Sequence, residues 1–569
     1  MKTPLVEFRD YSFKYRTQTE PTLKTINLTL YKGEKVLIVG PSGSGKSTLA
    51  SCLNGLVPHS YAGEQSGSLL IHGKTNEKLS VFDLSSFVGT VLQDPDGQFV
   101  GLTVAEDIAF ALENDCVAPA VMKEKVAESA ALVGVGHLLE RSPQALSGGQ
   151  KQRVALAGVL TSPLDLLLFD EPLANLDPAT GNYAMELIDD IHRKTQATLV
   201  IIEHRLEDVL RRQVDRIIVV HDGCIAADST PDELLATSVL TEIGIREPLY
   251  LTALKYAGCE PTRQDHLASL HLIPLERHRE NLLQWFFAQQ ARSKEKDRNV
   301  ILEAEDISFS YRDQEEVLSM VSFHVQQGEM LSIVGKNGAG KSTLSKLICG
   351  FEKPTNGWIR YQGEDLAPES IKQRAEKIGM VMQNPNQMIS KAMVFDEVAL
   401  GLQARGIPAE ETKRRVEETL RICGLYPYRN WPISALSFGQ KKRVTIASIL
   451  VLNPRILILD EPTAGQDFRH YTEIMEFLKR INQEHGVTIL MITHDMHLML
   501  EYADRTLVLS DGRLIADAAP AEVLTDQAII EAASLKVTSL YELAVRSAIP
   551  DPIAFVDRFI AYDKEVRRQ

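Results

Sequence analysis

No stretch of this 569-residue chain approaches the roughly 20 consecutive apolar residues that span a bilayer. The nearest, Val154 to Phe169, is interrupted by Thr161, Ser162, Pro163 and Asp165. The opening Met1-Lys2-Thr3-Pro4 lacks the apolar core of a signal peptide. Basic charge is also scarce. Lys and Arg number 61 against 76 Asp and Glu, and the net charge of −15 counts against nonspecific nucleic-acid binding, which draws on clustered cations. The six cysteines (Cys52, Cys116, Cys224, Cys259, Cys349, Cys423) are scattered with no C-x-x-C pair, so reduced, mostly buried thiols are expected in place of disulfides or a metal site.

What is present appears twice. Gly40-Pro41-Ser42-Gly43-Ser44-Gly45-Lys46-Ser47 and Gly335 to Ser342 both fit G-x-x-x-x-G-K-[ST], a loop that cradles nucleotide phosphates. Val36–Val39 and Leu331–Val334 precede them as strand patterns, and a helical pattern opening on Thr48 and Thr343 follows. Glycine at Gly40, Gly43, Gly45, Gly335, Gly338 and Gly340 lets backbone N–H groups turn inward at phosphate oxygens, with Ser42 and Asn337 between them. Lys46 and Lys341 would reach the β- and γ-phosphates, and Ser47 and Ser342 would hold Mg2+.

The two halves repeat at a fixed interval. Gln93 and Gln383, Ser147 and Ser437, Glu171 and Glu461, and His204 and His494 are each 290 apart, as 383 − 93 shows for the first pair. The lysines differ by 341 − 46 = 295, so the first half carries five extra residues between loop and glutamine, expected in the polar Tyr61–Lys78 region. Alternating strand and helix patterns predict an α/β fold with largely parallel sheets. The runs Leu166–Phe169, Thr198–Ile202, Ile456–Leu459 and Thr488–Ile492 read as buried parallel strands. Leu5–Phe8 and Val300–Glu303 read as opening strands, and Ala105–Glu113 and Phe395–Leu402 as helices. Expected domains are 1–230, an appendix and linker 231–298, 299–518, and a C-terminal helical appendix 519–569. Between the copies, Glu280–Ala291 reads as a packed amphipathic helix and Arg292–Arg298 as a mixed-charge linker.

Asp170-Glu171 and Asp460-Glu461 follow buried strands, at the carboxyl edge where ligands bind in α/β sheets. Downstream of a phosphate loop, this pattern assigns Asp170 and Asp460 to Mg2+ support and Glu171 and Glu461 to orienting the attacking water. His204 and His494, one strand later, are candidate γ-phosphate sensors.

These residues resemble the nucleotide-binding subunits of ATP-binding cassette (ABC) proteins. Leu146-Ser-Gly-Gly-Gln150 matches the family signature, and Leu436-Ser-Phe-Gly-Gln440 matches with Phe438 in place of glycine. Tyr15 and Tyr311 match the aromatic that stacks on adenine, Gln93 and Gln383 the glutamine that contacts Mg2+, and Asp177 and Asp467 the aspartate after the catalytic glutamate. The resemblance implies two ATPs between the tandem halves: Lys46, Gln93, Glu171 and His204 with Ser437 and Gly439, and Lys341, Gln383, Glu461 and His494 with Ser147 and Gly149. Because the halves share one chain, no homodimer is required.

Gln93-Asp-Pro-Asp-Gly-Gln98 before Thr103–Phe110, and Gln383-Asn-Pro-Asn-Gln387 before Val394–Leu400, resemble the pattern of energy-coupling-factor (ECF) importers of vitamins and transition-metal ions. This resemblance implies an ATPase at the cytoplasmic face of the membrane, docked on a transmembrane coupling protein that holds a small substrate-binding membrane protein. Asp94, Asp96, Glu106 and Glu397 would lie near the docking groove, and some would pair with basic residues of the partner. Two alternatives stand beside it: a tandem ABC translation factor acting on ribosomes, and the ATPase of another importer class. Against the first, Glu276–Arg298 has six basic and four acidic residues, only two net positive.

Overall fold

Short β-branched runs alternating with longer helical patterns produce the same plan twice. A computed structural model describes residues 3–93, 97–174, 176–289, 298–311 and 316–567. The chain forms two compact units, one built on residues 1–282 and the other on residues 283–569, residues 467–469 aside.

In the first unit a six-stranded sheet runs in the order Cys224–Ser229, Arg216–His221, Lys35–Val39, Thr198–Ile202, Leu166–Asp170, Val88–Val91. All neighbours are parallel except the first pair. The second unit repeats this with Arg513–Ala518, Arg505–Ser510, Met330–Gly335, Thr488–Ile492, Ile456–Asp460 and Ile378–Val381. Covered on both faces, the central strands are mainly apolar, and every residue of Lys35–Val39, Met330–Gly335, Thr198–Ile202 and Thr488–Ile492 is buried, Ser332 among them. The strand feeding each phosphate loop therefore sits beside the strand that ends before the histidine, which in turn pairs with the strand that ends in Asp-Glu.

A smaller antiparallel sheet completes each unit: Leu23–Tyr31, Pro4–Tyr15, Gly63–Ile71 and Lys74–Thr75, and their counterparts Glu316–Gln326, Val300–Ser310, Asn356–Tyr361 and Glu364–Asp365. Its strands extend well past the expected Leu5–Phe8 and Val300–Glu303. The register shifts between Arg9 and Ser12 and between Glu305 and Ser308, where Asp10 (φ 47°) and Asp306 (φ 50°) are left-handed. Such a bulge breaks the two-residue alternation and hides the rest of the strand from a periodicity reading.

Three helices pack together beside each large sheet: Val104–Asn114, Pro119–Leu132 and Gly148–Val159, then Val394–Gln403, Ala409–Ile422 and Phe438–Leu450. Thr103 starts the first with a reciprocal capping box to Glu106. The five extra residues of the first unit lie upstream of most of the expected Tyr61–Lys78 region. Gly55 and Gly350 are 295 apart, whereas Gly67 and Gly357 are 290 apart, so the insertion falls between Gly55 and Gly67, a span that holds the short helix Leu56–His59 and overlaps the expected region over Tyr61–Ser66.

The appendices are helical, with Pro231–Leu235, Val239–Ile243 and Leu249–Tyr256 in the first unit. Pro520–Val523, Gln527–Ala532, Ser539–Arg546 and Pro552–Val566 form that of the second. The amphipathic segment between the copies forms a helix over Arg279–Ala288, and residues 290–297, which include most of the expected linker, lie outside the described residues. Within the second unit, Trp285 meets Phe555 edge-on at 5.5 Å and Tyr562 at 5.7 Å, and Arg558 donates to the Phe286 carbonyl at 2.6 Å. Trp285→Ala should cost about 3 kcal/mol of stability, since a buried indole leaves a large cavity. Denaturant unfolding would measure it, and a loss within about 0.5 kcal/mol, the range of ordinary surface substitutions, would show that this helix does not anchor the C-terminal one.

Candidate functional site

The phosphate-loop helices, Lys46–Leu53 and Lys341–Cys349, begin directly from a left-handed glycine, Gly45 (φ 108°) and Gly340 (φ 97°). The glycine before each loop is required by proximity. A Cβ on Gly40 would sit 2.2 Å from the Val220 carbonyl oxygen, and one on Gly335 2.0 Å from that of Leu509. Both lysines curl back over their loops: Lys46 donates to the carbonyls of Gly40 (2.8 Å) and Pro41 (2.9 Å), Lys341 to those of Gly335 (2.8 Å) and Lys336 (2.9 Å). Burial depresses the Lys46 pKa, opposed chiefly by the Glu171 carboxylate. Gly43 and Gly338 are left-handed as well, while Ser42, Ser47, Asn337 and Ser342 are exposed on the loop and first helical turn. Thr48 and Thr343 point back toward the aromatic candidates, 3.1 Å from the Tyr15 hydroxyl and 3.5 Å from that of Tyr311.

At the carboxyl edge of the first sheet, Glu171 is the centre of a cluster. His204 Nε2 lies 2.8 Å from its Oε1, and Gln93 Nε2 donates to its Oε2 at 2.5 Å. In the second unit His494 Nδ1 lies 2.7 Å from Glu461 Oε1, and Thr493 donates to Oε2 at 3.3 Å. The candidate acids and histidines are therefore brought together in each half. Both glutamates are left-handed, Glu171 at φ 50° and Glu461 at φ 45°, a conformation that costs a residue other than glycine on the order of 1–3 kcal/mol. The neighbouring strand holds them there: the Glu171 amide donates to Ile202 (2.8 Å) and the Glu461 amide to Ile492 (2.9 Å).

Burial, reinforced by the adjacent glutamate, pushes Asp170 and Asp460 up to about 6. A cation would relieve both causes. The oxygen donors assigned to it in each half (Ser47, Gln93 and Asp170; Ser342, Gln383 and Asp460) are the hard ligands that Mg2+ accepts together with substrate phosphates and water. No group of three or more His, Cys, Asp or Glu able to hold a metal occurs among the described residues.

The signature serines cap helices. Ser147 accepts from the Gln150 amide and Ser437 from that of Gln440, each in a reciprocal capping box. Phe438 is the first residue of its helix, and its counterpart Gly148 has no positive φ and open space where a Cβ would stand. Replacing glycine there thus removes no conformation that the backbone uses. A Cβ on Gly439 likewise would meet nothing closer than 3.7 Å.

The expected acidic docking residues behave differently. Asp94 and Asp96 lie outside the described residues. Glu106 accepts from the Leu102 and Thr103 amides as part of its helix cap. Glu397 is only 4% exposed and accepts from the Ser390 and Lys391 amides. Its counterpart at the 290 interval is Asp107, which accepts from Val100 and Gly101 in the same way. These carboxylates order the loop before the helix; Glu397 is buried there, whereas Glu106 remains exposed at the start of its helix. Apolar groups are exposed beside them, Val100 and Leu102 above all, the latter 81% exposed.

Sequence reading missed four residues around the candidate sites: Gln152, Glu203, Lys442 and Thr493. Their signal was non-identity at mirrored positions, since 442 − 152 and 493 − 203 are both 290.

Comparison with known proteins agrees with this geometry. The ABC transporter family profile matches residues 23–174 and 318–464, and a profile described as ATP-binding cassette cobalt transporter matches residues 237–309. Relatives described as putative ABC transporter ATP-binding proteins are 58% identical in Clostridium perfringens, over 99% of both chains, and 60% identical in Enterococcus faecalis, over the whole of both. A solved structure of cbiO1 from Clostridium perfringens, described as part of the ABC transporter complex cbiONQ, is 36% identical and covers 42% of this chain and 94% of its own, with a TM-score of 0.39. With two phosphate loops, each set beside a glutamate–histidine pair, and whole-length relatives of that description, the chain belongs to the ATP-binding subunits of ABC transporters, ATPases coupled to transport.

Proposed function

We propose that this chain is the tandem ATPase of an ECF-type importer of a vitamin or transition-metal ion, peripheral at the cytoplasmic face of the membrane. The observation that carries the hydrolytic part is the presence, in both halves, of a lysine-bearing phosphate loop beside an intact glutamate–histidine pair. In this reading Lys46 and Lys341 stabilise charge on the transferred phosphoryl group. Glu171 and Glu461 orient the attacking water, and His204 and His494 hold those carboxylates in place while facing the γ-phosphate. Mg2+, held by Ser47, Gln93 and Asp170 or by Ser342, Gln383 and Asp460, neutralises phosphate charge when bound. The family resemblance supports completing each site with the other half's signature, Ser437 and Gly439 or Ser147 and Gly149. The work is positioning and electrostatics, which is what phosphoryl transfer requires of a protein.

Support for ECF-type import comes from the glutamine-region patterns and from the cobalt-transporter profile over residues 237–309. That profile also spans the segment on which a translation-factor reading would rest. No helix among the described residues is long and apolar enough to cross a membrane, so a transmembrane coupling protein and a small substrate-binding membrane protein are the partners this reading requires. The apolar edge at Val100 and Leu102 is the proposed docking point. Leu102→Asp should reduce co-purification of the membrane partners about tenfold, the effect of losing one central apolar anchor, while ATP binding persists. Unchanged co-purification would exclude this edge, and co-sedimentation with ribosomes in place of membrane proteins would exclude the importer.

A further inference from the structure

The two halves secure their candidate sites by different means. In the first unit Glu203 is 3% exposed, and its carboxylate accepts from the amides of Leu173 (3.1 Å), His204 (2.8 Å) and Arg205 (3.2 Å). Gln152, on the helix after the signature, donates to the Pro172 carbonyl. The turn directly following Glu171 is thus held from two sides, one of them the segment that carries His204. In the second unit the mirrored residues are Thr493 and Lys442. Thr493 donates to the Glu461 carboxylate and accepts from the Asp495 amide at 2.9 Å. Lys442, 2% exposed, donates to the carbonyls of Gln383 (2.7 Å) and Met382 (3.2 Å). The same helix therefore grips the turn after the glutamate in one half and the glutamine segment in the other. The groups involved also differ in charge: a buried carboxylate beside the first glutamate, a buried ammonium near the second.

We infer that Glu203 is a positioning residue of the first site only, lacing the turn after Glu171 to the His204 segment, and that it makes the two ATP sites non-equivalent in hydrolysis. The Glu171–His204 contact at 2.8 Å joins two segments whose relative placement this carboxylate fixes through three amides. A buried carboxylate bound by several N–H groups tolerates little displacement, because each amide it releases is left unpaired in a dry environment. Displacement of a catalytic group by about 1 Å can cost about 10²-fold in rate, so partial loosening should be visible in kcat. The inference rests on the assignment of Lys46, Glu171 and His204 as a hydrolytic site.

Glu203→Thr installs the second half's residue, and Glu203→Gln keeps one acceptor oxygen. Both are made in the full chain carrying Glu461→Gln, so that turnover reports the first site. Glu203→Thr should lower kcat for ATP about tenfold with KM within about twofold, the pattern of lost alignment without lost ground-state binding, and Glu203→Gln should recover part of it. Hydrogen exchange of the Leu173 amide should quicken while that of Thr463, its mirror, stays unchanged. Wild-type kcat in Glu203→Thr overturns the inference. So does a fall in kcat matched by a rise in KM and a lowered melting temperature in both variants, which marks a structural role, and so does absence of turnover in the Glu461→Gln background, which denies independently working sites. Glu171→Gln in that background separates the premise: if it keeps turnover, the site assignment itself fails.

Discussion

Glu171→Gln together with Glu461→Gln should lower ATP turnover by about 10²–10⁴-fold, the range for removing a positioned general base, while nucleotide binding is retained. The amide has the shape of the carboxylate and can keep one of its hydrogen bonds, so the substitution removes proton acceptance and charge with little else. Both glutamates are held in a constrained conformation. Each is left-handed, pinned through its amide to the end of the neighbouring strand, and paired with a histidine within 2.8 Å. Because both halves are intact, each single substitution should leave measurable turnover from the other. The remainders should be unequal, since the buried Glu203 braces the first site through three backbone amides, whereas its counterpart Thr493 donates to the second glutamate itself. Steady-state kinetics of the three variants decides this. A single variant as inactive as the double shows that one site alone carries turnover or that neither works without the other.

Gly40→Ala and Gly335→Ala should each weaken ATP binding at least about tenfold and cost about 2 kcal/mol of stability, the usual scale of forced overpacking. The reason is sheet geometry. Val39 pairs with Val219, and Val334 with Val508, so the next residue of each loop strand abuts the carbonyl of Val220 or Leu509 as the chain turns out of the sheet. A methyl group 2.0–2.2 Å from a backbone oxygen cannot be met by a side-chain rotation. Either the loop or the strand must move, and both position the amides that would face phosphate in the proposed site. At Gly335 the φ of 146° adds a conformation that alanine resists. Titration with a fluorescent ATP analogue, half by half, gives the readout. Affinity within about twofold of wild type would mean that the loop is not the phosphate site.

Much of this was legible in order along the chain. The 290-residue interval, the phosphate loops, and the buried strands before Asp-Glu and before histidine all stand where their patterns place them, because a strand covered on both faces must be apolar throughout. The long antiparallel strands were legible only in part, since bulges at Asp10 and Asp306 interrupt the alternation. The acidic residues after the glutamine segments read alike in sequence, yet Glu397 is buried while Glu106 stays exposed, and both accept from backbone amides of the loop before their helices. A side chain's hydrogen-bond partner is a matter of local three-dimensional closure, and charge in a sequence does not reveal it.

By itself, then, the amino-acid order determined that two nucleotide-binding halves exist and which lysine, glutamate and histidine each contains, because these depend on short spacings and on burial of whole strands. Only the tertiary structure decided how each set is held. The left-handed glutamates, the closeness of Gly40 and Gly335 to a carbonyl on another strand, and the different partners that Gln152 and Glu203 take from Lys442 and Thr493 all concern residues far apart in the chain. Folding the sheet brings them within hydrogen-bond range, and at that range the two halves cease to be copies of one another.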